Sequence, residues 1–156
     1  MKEDFEKIEK FLDQNKINYE VFEHEKIHSA EEGAKIRNVD LKFGAKAMIV
    51  RSKGNFFQFV LRGDMKIEWK KVKNILGNTG SLASPEEVLK VTNCGIGSVS
   101  PFGNLYSLKV YLDNKILENE CFYFSAGLHD KSIKIKTKDY IKIVNPEILE
   151  FSLTKF

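Results

Sequence analysis

A chain of 156 residues, 42% hydrophobic and 30% charged with 3 prolines and 10 glycines, has the composition of a folded globular protein and excludes a disordered or fibrous one. Its length suits a single domain, 1–156, able to bury roughly two thirds of its unfolded surface. The net charge of +3, from 25 basic and 22 acidic side chains, is too small to mark a nucleic-acid binder by bulk electrostatics.

No apolar run approaches the roughly 20 residues of a membrane helix, and the charged start from Met1 to Lys10 lacks a signal peptide's apolar stretch. Cys94 and Cys121 cannot build a disulfide framework or a paired zinc site, so a reducing compartment, the cytoplasm, is expected. Charge is unevenly spread. Glu20, Glu23, Glu25, Glu31 and Glu32 crowd the first third, while Lys131, Lys134, Lys136, Lys138 and Lys142 cluster near the end, which permits a local phosphate-facing surface.

From Glu3 to Asn15, Phe5, Ile8, Phe11 and Leu12 recur at helical steps and predict an amphipathic surface helix. Tyr19 and Val21 suggest a short strand, and Ser29 with Glu32 reads as a capping box that opens a second helix. Ala47 to Val50 and Phe56 to Leu61, parted by Ser52-Lys53-Gly54-Asn55, predict a hairpin buried on both faces. Ile67, Trp69, Val72, Ile75 and Leu76 fall near helical spacing and stop at Gly77. Ser84-Pro85-Glu86-Glu87 starts another helix, which Asn93 or Gly95 ends. Leu108, Val110 and Leu112 alternate as a half-buried strand; Cys121 to Phe124 and Ser132 to Lys136 supply two more, and Tyr140 to Val144 a last short helix. The order predicts an α+β fold, a mixed, curved, mostly antiparallel sheet packed with helices.

Familiar catalytic signatures are absent: there is no His-Glu-x-x-His, no Gly-x-Ser-x-Gly, no phosphate-binding loop, and the 3 histidines lack metal-ligand spacing. Neither a metal nor another cofactor is expected. The segment from Gly95 to Gly103 surrounds small polar residues with glycine and proline, and such a backbone can present N–H donors in a concavity or simply form a tight turn. Phe124 to Asp130 is a second small-residue segment, read equally as a turn with a surface histidine. Lys46 precedes an apolar strand, where a lysine is ordinarily a solvated flank.

These pieces together resemble the YbaK and prolyl-tRNA-synthetase-associated editing domain family. Glu23-His24 leading into Ser29-Ala30-Glu31-Glu32 is similar to the family's Glu-His-Pro-Pro and Thr-x-Glu-Glu segments, with Glu25 and Lys26 in place of the prolines. Lys46 to Val50 resembles its lysine-led strand, and Ala83 to Glu87, Gly97 to Gly103 and Ser125-Ala126-Gly127 with His129 resemble its later motifs. The resemblance implies an aminoacyl-tRNA hydrolase that clears a mischarged tRNA in trans, with alanyl- or cysteinyl-tRNA(Pro) as candidate substrates. It implies Lys46 as the catalytic group, and Gly97, Ser98, Val99, Ser100, Pro101, Gly103, Ser125, Gly127 and His129 as substrate-binding residues. The nucleophile is water or, on a cysteinyl substrate, the substrate's own thiol. The implied partners are the acceptor end of a charged tRNA and an aminoacyl-tRNA synthetase, with no membrane and no DNA. The alternative is a module of the same fold that binds charged tRNA or a synthetase without hydrolysis.

Overall fold

The computed structural model describes residues 2–37 and 39–154. Helix α1 (Lys2–Gln14) buries Ile8 and Leu12 and leads into strand β1 (Tyr19–Glu23). Helix α2 (Ala30–Arg37) opens on half of the expected capping box: Ser29 Oγ accepts from Glu32 N at 3.1 Å, but Glu32 Oε2 accepts from His28 N at 3.1 Å, one residue before the cap. Strands β2 (Ala45–Ser52) and β3 (Asn55–Arg62) form the predicted hairpin. Its two-residue turn has Lys53 and Gly54 at φ 48 and 76, the primed geometry that matches strand twist.

Strand β4 (Met65–Ile67) takes Ile67 out of the expected helix, so α3 spans Trp69–Leu76 and ends at Gly77 with φ 77. The cause is tertiary: Ile67 pairs with Ser152 of a strand at the far end of the chain. After the short β5 (Ser81–Leu82), α4 (Pro85–Thr92) carries a complete capping box, Glu87 N to Ser84 Oγ at 3.2 Å and Ser84 N to Glu87 Oε1 at 2.9 Å, and closes at Asn93 with φ 59. Replacing Ser84 by alanine removes a partner from an otherwise unmet N–H, so thermal denaturation should show a loss of about 1 kcal/mol, roughly 2–4 °C in Tm.

Strand β6 (Val110–Asp113) is buried along its whole length rather than half-buried, because it lies between two parallel neighbours, β3 and β9 (Glu147–Leu149). Strands β7 (Cys121–Ser125) and β8 (Lys131–Lys136), helix α5 (Thr137–Val144) and strand β10 (Ser152–Thr154) complete the chain. The mixed, mostly antiparallel character holds, but the strands fall into three ladders: β5-β2-β3-β6-β9, β1-β8-β7 and β10-β4. An isolated bridge from Gly44 to Tyr123 joins the first two at their edges. Ile8, Leu12, Phe102, Phe122, Phe124, Ile133 and Tyr140 fill the core beneath α1, α5 and the three-stranded ladder. No helix among the described residues is long and apolar enough to cross a membrane.

Candidate active site

Strand β2 is paired along its full length with β3, yet on its other side β5 reaches only Val50 and Arg51. Beside the bare stretch a cavity of about 250 Å³ opens toward the three-stranded ladder. Its walls come from Gly44 to Met48 on β2, Ile27 to Glu31 at the start of α2, Phe124 and Ser125 at the end of β7, and Gly97 and Val99. Ala45, Ala47, Phe124 and Val99 make it apolar; Lys46, Ser125 and Glu31 add polar groups.

Three chain segments are stitched together to hold this shape. His24 N and Ile27 N donate to Asp130 O and His129 O at 3.1 and 2.8 Å, fixing the approach to α2 against the turn after β7. Gly127 N donates to Ser98 O at 2.9 Å, fixing that turn against the Gly95 to Gly103 loop. Gly97 sits at φ +86, and a Cβ there would lie 2.7 Å from the His28 carbonyl oxygen, so only glycine allows loop and helix entry to meet this closely.

Ser98 Oγ donates to Gly95 O at 2.6 Å and Ser98 N to the same oxygen at 3.0 Å; Phe102 N reaches Ser100 Oγ at 3.4 Å. Gln58, with 0% of its surface exposed, spans the loop by donating from Nε2 to Ser100 O at 2.9 Å and accepting Gly103 N on Oε1 at 2.7 Å. Tyr140 OH donates to Pro101 O. Ser100 Oγ meets Tyr106 OH at 3.0 Å, and burial holds the Tyr106 phenol above its ordinary pKa, which keeps it neutral and hydrogen-bonding. Burial likewise raises the Cys94 thiol beside it, as expected of a small buried hydrophobe. The backbone N–H groups of Gly95, Ile96, Gly97, Val99 and Ser100 have no acceptor among the described residues, and of these residues Gly97 and Val99 line the cavity. Val99 is only 7% exposed, and buried amides without a partner are uncommon.

Of the residues singled out from the sequence, Lys46, Gly97, Val99 and Ser125 line the cavity. Ser98, Ser100, Pro101 and Gly103 form the frame behind it, and Gly103 packs where a Cβ would meet Val110 at 2.7 Å. Gly127, at φ +85, seats the turn against Asp4 and Phe5. His129 stands at the loop's back, its Nε2 paired with Ile96 O at 2.9 Å and its ring 4.3 Å from that of His28. Lys46 follows the strand's alternation: Ala45 and Ala47 face the main core, Met48 faces a second cluster around Phe59, and the Lys46 ammonium donates to Met65 O. Ile27, His28 and Gln58 were not singled out: the first two lie between the halves of the quoted Glu23 to Glu32 motif and Gln58 within an apolar core strand, while Phe124 was named only as the start of the Phe124 to Asp130 segment. No group of three or more His, Cys, Asp or Glu side chains among the described residues could hold a metal ion.

A model of the aminoacyl-tRNA editing domain matches residues 24–143, the span that builds every wall of the cavity. The multifunctional Ser/Thr-tRNA deacylase ProXp-y of Escherichia coli (strain K12) is 34% identical over 149 residues, covering 92% of this chain and 89% of that protein. Proline–tRNA ligase of Caldicellulosiruptor saccharolyticus is 31% identical over 131 residues, covering 83% of this chain but 21% of the ligase. The solved structure of hypothetical protein APE2540 has the same fold, with a TM-score of 0.88 over 94% of this chain and 99% of that one at 18% identity. With its motifs, its fold and most of its length matched, the chain belongs to the aminoacyl-tRNA editing domain family.

Proposed function

We propose that the cavity between β2, α2 and the Gly95 to Gly103 loop is where the ester of a mischarged tRNA is cleaved. The chain is an aminoacyl-tRNA hydrolase, working in the cytoplasm on tRNA charged by a synthetase. One observation carries the site: Gly97 and Val99, both in the cavity wall, have N–H groups without an acceptor among the described residues, on a loop braced from behind by Gln58 and Tyr140. Attack on the ester carbon pushes charge onto the carbonyl oxygen, and preorganised amide donors stabilise that charge without reorganising. The ester is already activated, so positioning and electrostatics suffice for water as the nucleophile. Lys46 adds a positive charge at the same wall once its ammonium leaves the Met65 carbonyl, a swing its four-carbon stem permits.

The aminoacyl group is small and hydroxylated. A cavity of about 250 Å³ suits a short side chain, the wall offers Ser125 among apolar neighbours, and the Escherichia coli relative is named for serine and threonine. Alanyl and cysteinyl groups, the other candidates, lack the hydroxyl that a polar wall would select. Deacylation of separately mischarged Ser-, Thr-, Ala- and Cys-tRNA tests this directly, with Ser and Thr expected to lead in kcat/KM by about tenfold or more. Faster release of alanine or cysteine would overturn the substrate, and binding without release of any amino acid would overturn the hydrolase. Chelator should leave the rate unchanged wherever the tRNA stays folded.

A further inference from the structure

The register of the three-stranded ladder pairs Ser125, Tyr123 and Cys121 of β7 with Ser132, Lys134 and Lys136 of β8, and Phe22 of β1 with Ser132. Because side chains alternate along a strand, these residues share one face, opposite the buried face of Phe122, Phe124, Ile133 and Ile135. β8 is therefore the central strand, and its lysines are not guards on a solvated edge.

This outer face runs into the cavity. Ser125 lines the cavity, and Gly44, which also lines it, is bridged to Tyr123, so Tyr123 stands one step outside. The rings of Phe22 and Tyr123 lie 5.7 Å apart across β8, tilted by 51°. Lys134 Nζ sits 5.7 Å from the Tyr123 centroid, turned to the ring although Glu20 is its neighbour across the strands. Lys131 is committed to Glu23, but among the described residues neither Lys134 nor Lys136 makes an ion pair.

We propose that this face is the track along which the unpaired 3′ end of the tRNA reaches the cavity. A base lies against Phe22 and Tyr123, and Lys134 and Lys136 meet successive phosphates. Aromatic rings beside unpaired ammonium groups are the combination that holds single-stranded nucleic acid, since every base has a π face and every linkage a charge. A duplex keeps its base faces stacked out of reach, so the occupant is the single strand. The inference rests on the hydrolase reading given above.

The test compares wild type with the Lys134→Ala/Lys136→Ala double variant and with Tyr123→Leu, which keeps apolar bulk at the ring's position. On charged tRNA, KM should rise about tenfold with kcat nearly unchanged, and the double variant should lower the slope of log affinity against log salt by about 1.4, two phosphates' worth. The aminoacyl ester of adenosine, too short to reach the lysines, should lose nothing in the double variant. In parallel, fluorescence anisotropy with a single-stranded oligonucleotide of the tRNA's 3′ end should show binding that the variants weaken. Unchanged KM on charged tRNA, or an equal loss on the adenosine ester in the double variant, would overturn the track. If wild type cleaves no charged tRNA the hydrolase reading falls, and the anisotropy still decides the surface: no binding by wild type rejects it, and binding lost in the variants supports it.

Discussion

Lys46→Ala should lower kcat on charged tRNA by about thirtyfold to a thousandfold while the protein still folds. The range is the about 2 to 4 kcal/mol that one preorganised group contributes to a developing oxyanion. Folding should survive because the ammonium's partly buried bond to Met65 O contributes about 1.5–3 kcal/mol, less than the about 5–15 kcal/mol that holds a domain folded. Lys46→Met keeps the stem and separates charge from packing; it should match alanine in rate and melt a few degrees below wild type for want of the bond to Met65 O. Lys46→Arg should not restore the rate, since the planar guanidinium is larger than an ammonium and this cavity holds only about 250 Å³. Full hydrolysis by a stably folded Lys46→Ala protein would remove the lysine from the chemistry. A large fall in Tm with an intact rate would instead assign it to holding β4 against β2.

Gln58→Leu is expected to cost both stability and turnover. The substitution is close in volume but leaves Ser100 O and Gly103 N buried without partners, at about 1–3 kcal/mol each, so Tm should fall by roughly 5–15 °C. Both groups belong to the loop that carries Gly97 and Val99, so loosening it should lower kcat more than it raises KM. Gln58→Glu sharpens the test. A carboxylate can accept Gly103 N but repels Ser100 O, whereas the protonated acid can donate to it as the amide does. Burial raises the folded-state pKa of such an acid above its unfolded value near about 4.3. The folded protein then binds the extra proton over that interval, so the variant's stability should fall as pH rises above about 4.3, levelling off once the folded-state acid has ionised. A denaturation series showing the deficit of Gln58→Glu constant across pH would mean that the side chain does not span the loop.

The local elements were legible because each is decided by near neighbours in the chain. Ser84 and Glu87 cap α4 through contacts three residues apart, Asn93 closes it, and Lys53-Gly54 turns the β2-β3 hairpin. The hydrophobic stripe of α1 is likewise a matter of spacing. Where a distant strand intervenes, spacing misleads: Ile67 continues the helical pattern of α3 but belongs to β4, because Ser152 offers it backbone partners. Val110 to Asp113 reads as half-wet since Asp113 and Lys109 flank apolar residues. Asp113 is nevertheless fully buried, accepting Phe151 N at 2.8 Å, Ser152 N at 3.0 Å and Ser152 Oγ at 2.8 Å.

The site shows the same division. By itself the sequence determined the helices, the hairpin and, through the order of its motifs, the family, and it offered candidate segments for the site: Lys46, the Gly97 to Gly103 loop and Ser125 to His129. Only the tertiary structure decided what each residue does there. It placed Gly97 and Val99, whose amides have no acceptor among the described residues, in the cavity wall, and put Ser98, Ser100 and Gly103 behind it, where the two serine hydroxyls and the Gly103 amide are bonded in holding the loop. It also brought in Gln58, an unremarked residue of a core strand, as the brace across that loop. The reason is that a motif records which residue types are present, whereas a hydrogen bond has one geometry and each donor is used once. Whether an amide faces a substrate or another strand is therefore settled by segments that meet only when the chain has folded.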